Sequence, residues 1–254
     1  MNNLVNHVLN NGGDIHPLVI PSEHTNGTGL MNPSIFIDGD KIMCNIRHVQ
    51  YSLYHTRDGV ADTRVGPLAY LNPENDITLR TTNFVCELNG DYTIKNFHKV
   101  NMLLDKQPIW EFIGLEDARL IKWEEKWYLC GVRRDTTTNG QGRMELSEIS
   151  ITDNNVTEVS RFRIPPPIDL NSYLEKNWMP IIDKPFHFVK WSNPTEIVKV
   201  DPLLQTCTQV KLGNKVETKR EIRGGSHVVK IDGKYIAVTH EVDFWRNKNG
   251  NKQC

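Results

Sequence analysis

The residues best suited to chemistry fall at matching places in four stretches of the chain. Glu116, Asp117 and Arg119 stand together in Gly114-Leu115-Glu116-Asp117-Ala118-Arg119. Asn32-Pro33-Ser34 opens an earlier stretch, Glu175-Lys176-Asn177-Trp178 a later one, and Gly224-Gly225-Ser226 the last. Each cluster runs into a short apolar strand, turns at a charged or glycine-containing corner, and returns on a strand that ends in Arg47, Arg133, Lys190 or His240. In a hairpin, the start of the first strand and the end of the second lie at one end. The polar clusters and the four basic side chains are therefore expected to collect together.

Asp117 and Glu116 are the candidate catalytic pair. A carboxyl beside a fixed cation stays ionised unless burial opposes it, and such a group in a funnel can act as general acid or base. Alternation along a strand puts Asp117 and Arg119 on one face and Glu116 on the other. Arg47, Arg133, Lys190 and His240, with Asp135 just behind Arg133, would suit an anion or a hydroxyl-rich ligand. Glu175, Lys176 and Asn177 add both charge signs and an amide, and Trp178 adds an indole, a set that can hold a sugar. Gly224-Gly225 lets backbone approach a ligand closely, with Ser226 and His227 beside it. Singly, these residues are more often ion pairs, surface charges or, for Trp178, core. Their recurrence in register lends weight to the functional reading. No histidine or cysteine spacing suggests a metal site. The chain has no G-x-G-x-x-G, Walker loop, G-x-S-x-G or H-E-x-x-H.

The elements that must position these residues are short antiparallel strands. Ser34–Asp38 and Ile42–Ile46 turn at Gly39-Asp40, and Asn83–Leu88 and Tyr92–Ile94 turn at Asn89-Gly90. The second copy is the fullest, with Leu120–Trp123, Trp127–Val132, Met144–Thr152 and Val156–Phe162 as four strands. The third runs from Trp178 to Val200, and the fourth from Val228 to Phe244 with a turn at Asp232-Gly233. Repeats of about fifty residues built from such units indicate an all-β fold of the β-propeller kind. Residues 1–30 read as a lead-in with turns at Gly12-Gly13 and Asn26-Gly27, 31–246 as the propeller domain and 247–254 as a polar tail. Tyr51 and Tyr54 are expected to extend the first blade, 62–76 to be a polar connection, Pro165-Pro166-Pro167 a stiff linker and Lys215–Arg223 a solvated hairpin.

The 254 residues carry a formal net charge of −1, which gives no support for a nucleic-acid or acidic-membrane partner. No stretch approaches the ~18 apolar residues of a membrane span, and Met1–Asn11 lacks the apolar run of a signal peptide, so a cytoplasmic location is expected. The five cysteines form no C-x-x-C pair, and Cys44 and Cys130, which occupy the same place in two repeats, read as small core residues.

At Asn32-Pro33, at Arg47 fifteen residues on, at Gly114–Arg119, and at the 175–178 and 224–226 segments, the chain resembles the five-bladed β-propeller enzymes of glycoside hydrolase family 130. The resemblance runs from about Asn32 to Phe244. The family's second anchor usually reads G-x-E-D-P-R, and Ala118 replaces its proline. The resemblance implies that Asp117 is the general acid and that Asn32 and Arg47 bind sugar. It also implies inverting chemistry on β-mannosides, by phosphorolysis or hydrolysis. A related glycosyltransferase group builds β-mannan in the reverse sense. No cofactor is implied; inorganic phosphate is the co-substrate of the phosphorolytic members. A five-bladed propeller is expected to be incomplete at the C-terminus of this sequence. The expected partner is a small-molecule or oligosaccharide substrate, with oligomerisation left open. The alternatives are a non-catalytic carbohydrate-binding propeller, a propeller-type β-mannosyltransferase and a protein-binding scaffold.

Overall fold

The computed structural model of the chain describes residues 2–25, 29–53, 61–63, 66–70, 78–242, 245–246 and 252–253. Asn2–Asn10 forms a short helix and Ser22–His24 a single 3-10 turn. From Gly29 onward, every regular element among the described residues is a strand.

The strands form successive antiparallel meanders. The first sheet orders Gly29–Asp38, Lys41–Val49, Leu79–Leu88 and Ile94–Asn101. The second orders Leu115–Trp123, Lys126–Arg133, Arg143–Thr152 and Asn155–Arg163. It touches the first along one edge, where Val156 and Thr157 pair in parallel with Val100 and Asn101. The third orders Met179–Pro180, His187–Ser192, Thr195–Asp201 and Thr206–Leu212. In the fourth stretch Glu221–Gly224 pairs with Thr239–Val242, and Val229–Ile231 pairs with Lys234–Ile236. This is an all-β fold of propeller type, each sheet leading with a strand turned toward a common centre.

Local chemistry explains the hairpins. Glu124 and Glu125 have φ of 51° and 61°, and Asp232 and Gly233 have 48° and 77°. Two left-handed residues in a two-residue loop match the twist of the flanking strands. The Asn89-Gly90 turn is wider than expected. Asp91 Oδ1 accepts hydrogen bonds from both the backbone N–H and the hydroxyl of Thr93, which holds an open loop and delays the second strand to Ile94.

Four expectations need correction. Tyr51 does not extend the first sheet: Tyr51–Leu53 pairs instead with Gly66–Tyr70, which pairs with Ala61–Thr63, so the 62–76 connection carries strands of a separate small sheet. Lys215–Arg223 is not a hairpin: an exposed irregular loop leads into the Glu221–Gly224 strand, which finds its partner at Thr239–Val242. The strand that Tyr92 was to begin starts two residues later. Tyr54, Phe244, Asn26-Gly27, 71–77 and most of the 247–254 tail lie outside the described residues.

The core sits between neighbouring sheets. Met43, Val85, Leu115, Leu120, Leu129 and Val156 pack between the first and second. Trp123 meets Phe186 and Phe188 at ring separations of 5.3 Å and 5.4 Å, and Trp178 meets Phe188 at 6.0 Å, which joins the second sheet to the third. Each such side chain, fully buried, contributes about 1.5–3 kcal/mol relative to exposure. Trp178 is thus core, and its indole N–H donates to Glu175 Oε2 at 3.1 Å.

Buried polar groups tie the leading strands together. The Asn45 amide donates to the Ala118 carbonyl (2.9 Å), and the Asn83 amide donates to the Leu115 carbonyl (2.9 Å). Ser34 Oγ accepts the Leu120 N–H at 3.0 Å. His227 Nε2 lies 2.8 Å from the Leu120 carbonyl, and the Arg119 guanidinium donates to the Gly225 carbonyl at 2.8 Å. The Val228 N–H donates to the Pro180 carbonyl at 2.9 Å. Leading strands from all four stretches therefore meet around one centre.

Candidate functional site

The ladders reveal which residues are equivalent. In the first sheet Ser34 faces Asn45 and Met31 faces Arg47, with Asn32 and Pro33 looped out between them. In the second Arg119 faces Cys130 and Glu116 faces Val132, with Asp117 and Ala118 looped out. Asn32 and Asp117 thus occupy one position, and Asn177, two residues before the pairing of Met179 with Val189, occupies it in the third sheet. All three are left-handed, with φ of 50°, 51° and 62°. Asn and Asp are the non-glycine residues that adopt this conformation most readily. Backbone geometry therefore selects these residue types, and the same kink tips their side chains inward.

The kinks surround a cavity of about 670 Å³. Asn32, Pro33, Ser34 and Ile35 line it from the first sheet, and Asp117, Ala118 and Arg119 from the second. Lys176 and Asn177 line it from the third, and Arg223 through His227, with His240, from the fourth. Small-molecule sites commonly fall within ~300–1,000 Å³.

Asp117 is the best-held group in the cavity. Its Oδ1 accepts the Asn32 amide at 2.5 Å and Arg47 Nη1 at 2.7 Å. No partner within the described residues binds Oδ2, and the side chain keeps 25% of its exposure. Arg47 is fixed on its other sides by the Thr81 hydroxyl (3.1 Å) and the Tyr51 hydroxyl (2.7 Å), with Glu116 Oε2 at 3.7 Å. The expected alternation therefore fails. The left-handed Asp117 breaks the strand period, and one guanidinium serves both carboxylates.

Their environments push the two acids apart. Burial alone would raise the Asp117 carboxyl, but Arg47, the Asn32 amide and Lys176 outweigh it, so its pKa falls below the ordinary aspartate value. Glu116 is more deeply placed. Burial raises its pKa, Asp117 adds to the rise, and Arg47 opposes it without prevailing. Burial and the cations Arg223, Arg119 and Lys176 lower the His240 pKa. Burial pushes His227 down to about 4, so it is neutral near pH 7. Its Nε2–H then donates to the Leu120 carbonyl.

Of the residues singled out from sequence, Asn32, Asp117, Arg119, Lys176, Asn177, Ser226 and His240 line the cavity. Arg47 and Glu116 stand directly behind it. The expected ring of four basic residues does not form. The residue equivalent to Arg47 is Val132, not Arg133, because the matching return strands are offset by one position. A one-residue offset turns a side chain to the opposite face. Arg133 accordingly lies 1% exposed among Asp105 (2.9 Å), Asp135 (3.2 Å) and Glu145 (2.9 Å), away from the cavity. Asp135 belongs to that buried network and also accepts the Gly114 N–H. Glu175 is buried under Trp178 and the Ser172 hydroxyl. Lys190 sits between Glu196 (3.3 Å) and Glu175 (3.8 Å), beside the cavity rather than in it. Arg223 was missed as a site residue. Its signal was the cross-strand pairing with His240, which is visible only once the fourth stretch is folded. Among the described residues no cluster of three or more His, Cys, Asp or Glu side chains could hold a metal ion, and no helix is long and apolar enough to cross a membrane.

No protein-family model matches the chain, and no curated protein matches it. Among solved structures it is similar to a β-1,2-mannobiose phosphorylase from Listeria innocua, solved with β-1,2-mannobiose. The identity is 11% and the TM-score 0.47, over 89% of this chain and 70% of that one. It is also similar to a mutant levansucrase from B. megaterium, at 16% identity and a TM-score of 0.36 over 77% of this chain. The chain spans about half the length of the levansucrase (52%). Likenesses this loose carry no argument about the reaction.

Proposed function

We propose that the chain is a carbohydrate-active enzyme that cleaves or transfers β-mannosides with inversion, with Asp117 as the group that handles the proton. The observation that carries this reading is the hold on Asp117. One carboxylate oxygen is fixed by Asn32 and Arg47, and the other is left without a protein partner among the described residues, in a cavity of about 670 Å³. The fixed oxygen sets the geometry, and the second can take or give a proton to a bound hydroxyl. Asn32 and Asn177 supply amide groups for further sugar hydroxyls, while the Ser226 hydroxyl is spent on the His227 carbonyl and the Val238 N–H. Arg119 and Lys176 form a cationic wall, with the His240 ring beside them, suited to an anionic acceptor such as inorganic phosphate.

The lowered pKa constrains the order of events. Asp117 is ionised in the free protein near pH 7. It can donate only after the bound sugar excludes water and strengthens the desolvation that already favours the protonated form. A reducing compartment such as the cytoplasm suits the four free thiols among the described residues, Cys44, Cys86, Cys130 and Cys207.

The same ionised state favours a second reading, a non-catalytic carbohydrate-binding propeller in which Asp117 only accepts hydrogen bonds from sugar hydroxyls. A screen of β-mannosides and mannose 1-phosphate, with and without inorganic phosphate, separates the two. Phosphate-dependent release indicates phosphorolysis and phosphate-independent release indicates hydrolysis. Glycan binding with no turnover of any mannoside supports the binding module and contradicts the enzyme.

A further inference from the structure

The central cavity does not end at its own walls. Lys176, Asn177, Arg223 and Gly224 also line a small neighbouring cavity of about 100 Å³, closed on its far side by Trp191 and Glu221. Trp191 and Glu221 in turn line a third cavity of about 600 Å³, bounded by Asn193 and the loop that carries Lys215 and Lys219. The shared lining residues place the three spaces side by side, as a trough that leads from Asp117 across the third and fourth sheets.

Two features suit this trough to a ligand. Trp191 is 40% exposed at its middle. It follows a bulge at Lys190, where the ladder passes from Val189–Ile197 to Trp191–Glu196, and bulges commonly re-aim a side chain. The far loop is held in place. The Asn193 side chain donates to the Val216 carbonyl at 2.6 Å and accepts the Val216 N–H at 2.8 Å, and the Gly213 N–H donates to the Thr195 carbonyl at 2.8 Å.

The charge along the trough opposes that of the whole chain, which is −1. Several lining charges cancel: Lys190 with Glu196, Arg220 with Glu241, Arg223 with Glu221. Lys176, Lys215 and Lys219 make no ion pair among the described residues, and Arg119 donates only to carbonyl oxygens. Against these four cations stands Glu217 as the one acid of the trough without an ion pair among the described residues. A cationic, aromatic-centred trough is complementary to an extended anionic ligand.

We propose that this trough binds an anionic oligosaccharide, with one ring at Asp117, a later ring over Trp191, and carboxylate or sulfate groups set against Lys215 and Lys219. The inference rests on the sugar-binding reading above and narrows its substrate class from neutral to charged glycans.

Titration calorimetry with three tetrasaccharides tests it: neutral β-1,4-mannotetraose, the matching oligomannuronate, and a sulfated mannotetraose. At low salt, one or both charged oligomers bind at least about tenfold more tightly than the neutral one. Which of them gains identifies the anionic group. Raising the salt from about 50 mM to about 500 mM removes most of the gain, because exposed charges are screened. The Lys215→Gln/Lys219→Gln double variant brings the charged oligomer to within about twofold of the neutral one. Trp191→Ala weakens all tetrasaccharides but not methyl β-mannoside. Equal binding of charged and neutral oligomers, or no effect of the double lysine variant, overturns this proposal alone. Absence of binding by any mannoside overturns it together with the sugar-binding reading.

Discussion

Asn32 and Asp117 occupy the same position in adjacent sheets, share a left-handed backbone, and join side chain to side chain at 2.5 Å across 85 residues of sequence. The kink that each needs is the device that turns it toward the other. The site is therefore a product of the repeat: the break in strand period that loops out two residues per sheet also builds the wall of the cavity.

Arg47 is the cation on which both carboxylates depend. Its side chain is 7% exposed, and it contacts Asp117 at 2.7 Å and Glu116 at 3.7 Å. Replacing it with methionine leaves two acids facing each other, with only the weaker pulls of Lys176 and, at Glu116, of Arg134 remaining. Breaking a buried pair this way costs about 3–5 kcal/mol, toward the lower end here because Asp117 reaches solvent. Urea unfolding of Arg47→Met against wild type measures the loss, and an unchanged midpoint would contradict the role.

His227 gives the fold a sensitivity to mild acid. Its folded pKa is pushed down to about 4, below the unfolded value of about 6.5. The unfolded state therefore takes up the proton first, and stability is lost as the pH falls from about 6.5 to about 4. The span corresponds to about 3 kcal/mol. His227→Gln keeps a donor for the Leu120 carbonyl but cannot titrate. Its unfolding free energy should vary less over this window than that of wild type, and parallel curves would refute the assignment.

Glu116 and Asp117 have opposite pH signatures. The lowered Asp117 pKa adds stability that is present above about pH 4 and is lost as the pH drops through the folded value. Glu116 has a raised folded pKa, so it costs stability as the pH rises above its unfolded value of about 4.3. Glu116→Gln should therefore be at least as stable as wild type at pH 7, with the advantage vanishing near pH 4. A variant clearly less stable at pH 7 than wild type would show that the Glu116 charge is needed by Arg47.

Gly224 sets the spacing between the third and fourth stretches. A Cβ there would lie 2.1 Å from the Asn177 carbonyl oxygen and 2.8 Å from Met179 Cγ. Backbone must move to admit it, and overpacking of this kind costs about 1–3 kcal/mol. Gly224→Ala should lower the melting temperature and weaken ligand binding together, since Asn177 and Gly224 both line the cavity. Gly39→Ala, at a turn with φ of 59° and open space around it, should affect stability but not binding.

Much of this was legible in the chain. The Gly39-Asp40 and Asp232-Gly233 turns, the four strands of the second sheet and the convergence of Asn32, Arg47 and Asp117 all follow from local pattern and repeat. What escaped depended on register. Arg133 looked equivalent to Arg47 because both end a strand three residues after a cysteine, yet the ladders offset them by one position and turned Arg133 into a buried network. The alternation argument misplaced Glu116 because a left-handed Asp117 is invisible to a period of two. Arg223 entered the cavity through its pairing with His240, a contact between strands separated by a further hairpin.

The central claim is that Asp117, positioned by Asn32 and Arg47, performs chemistry on a bound mannoside. A general acid of this kind contributes about 10²–10⁴ in rate. The direct measurement is release of mannose or mannose 1-phosphate by wild type and by Asp117→Asn, each verified as folded by its circular dichroism spectrum and melting temperature. The account predicts turnover by wild type and a loss of at least about a hundredfold in the variant, with the fold retained. Equal turnover by a correctly folded Asp117→Asn protein would contradict it.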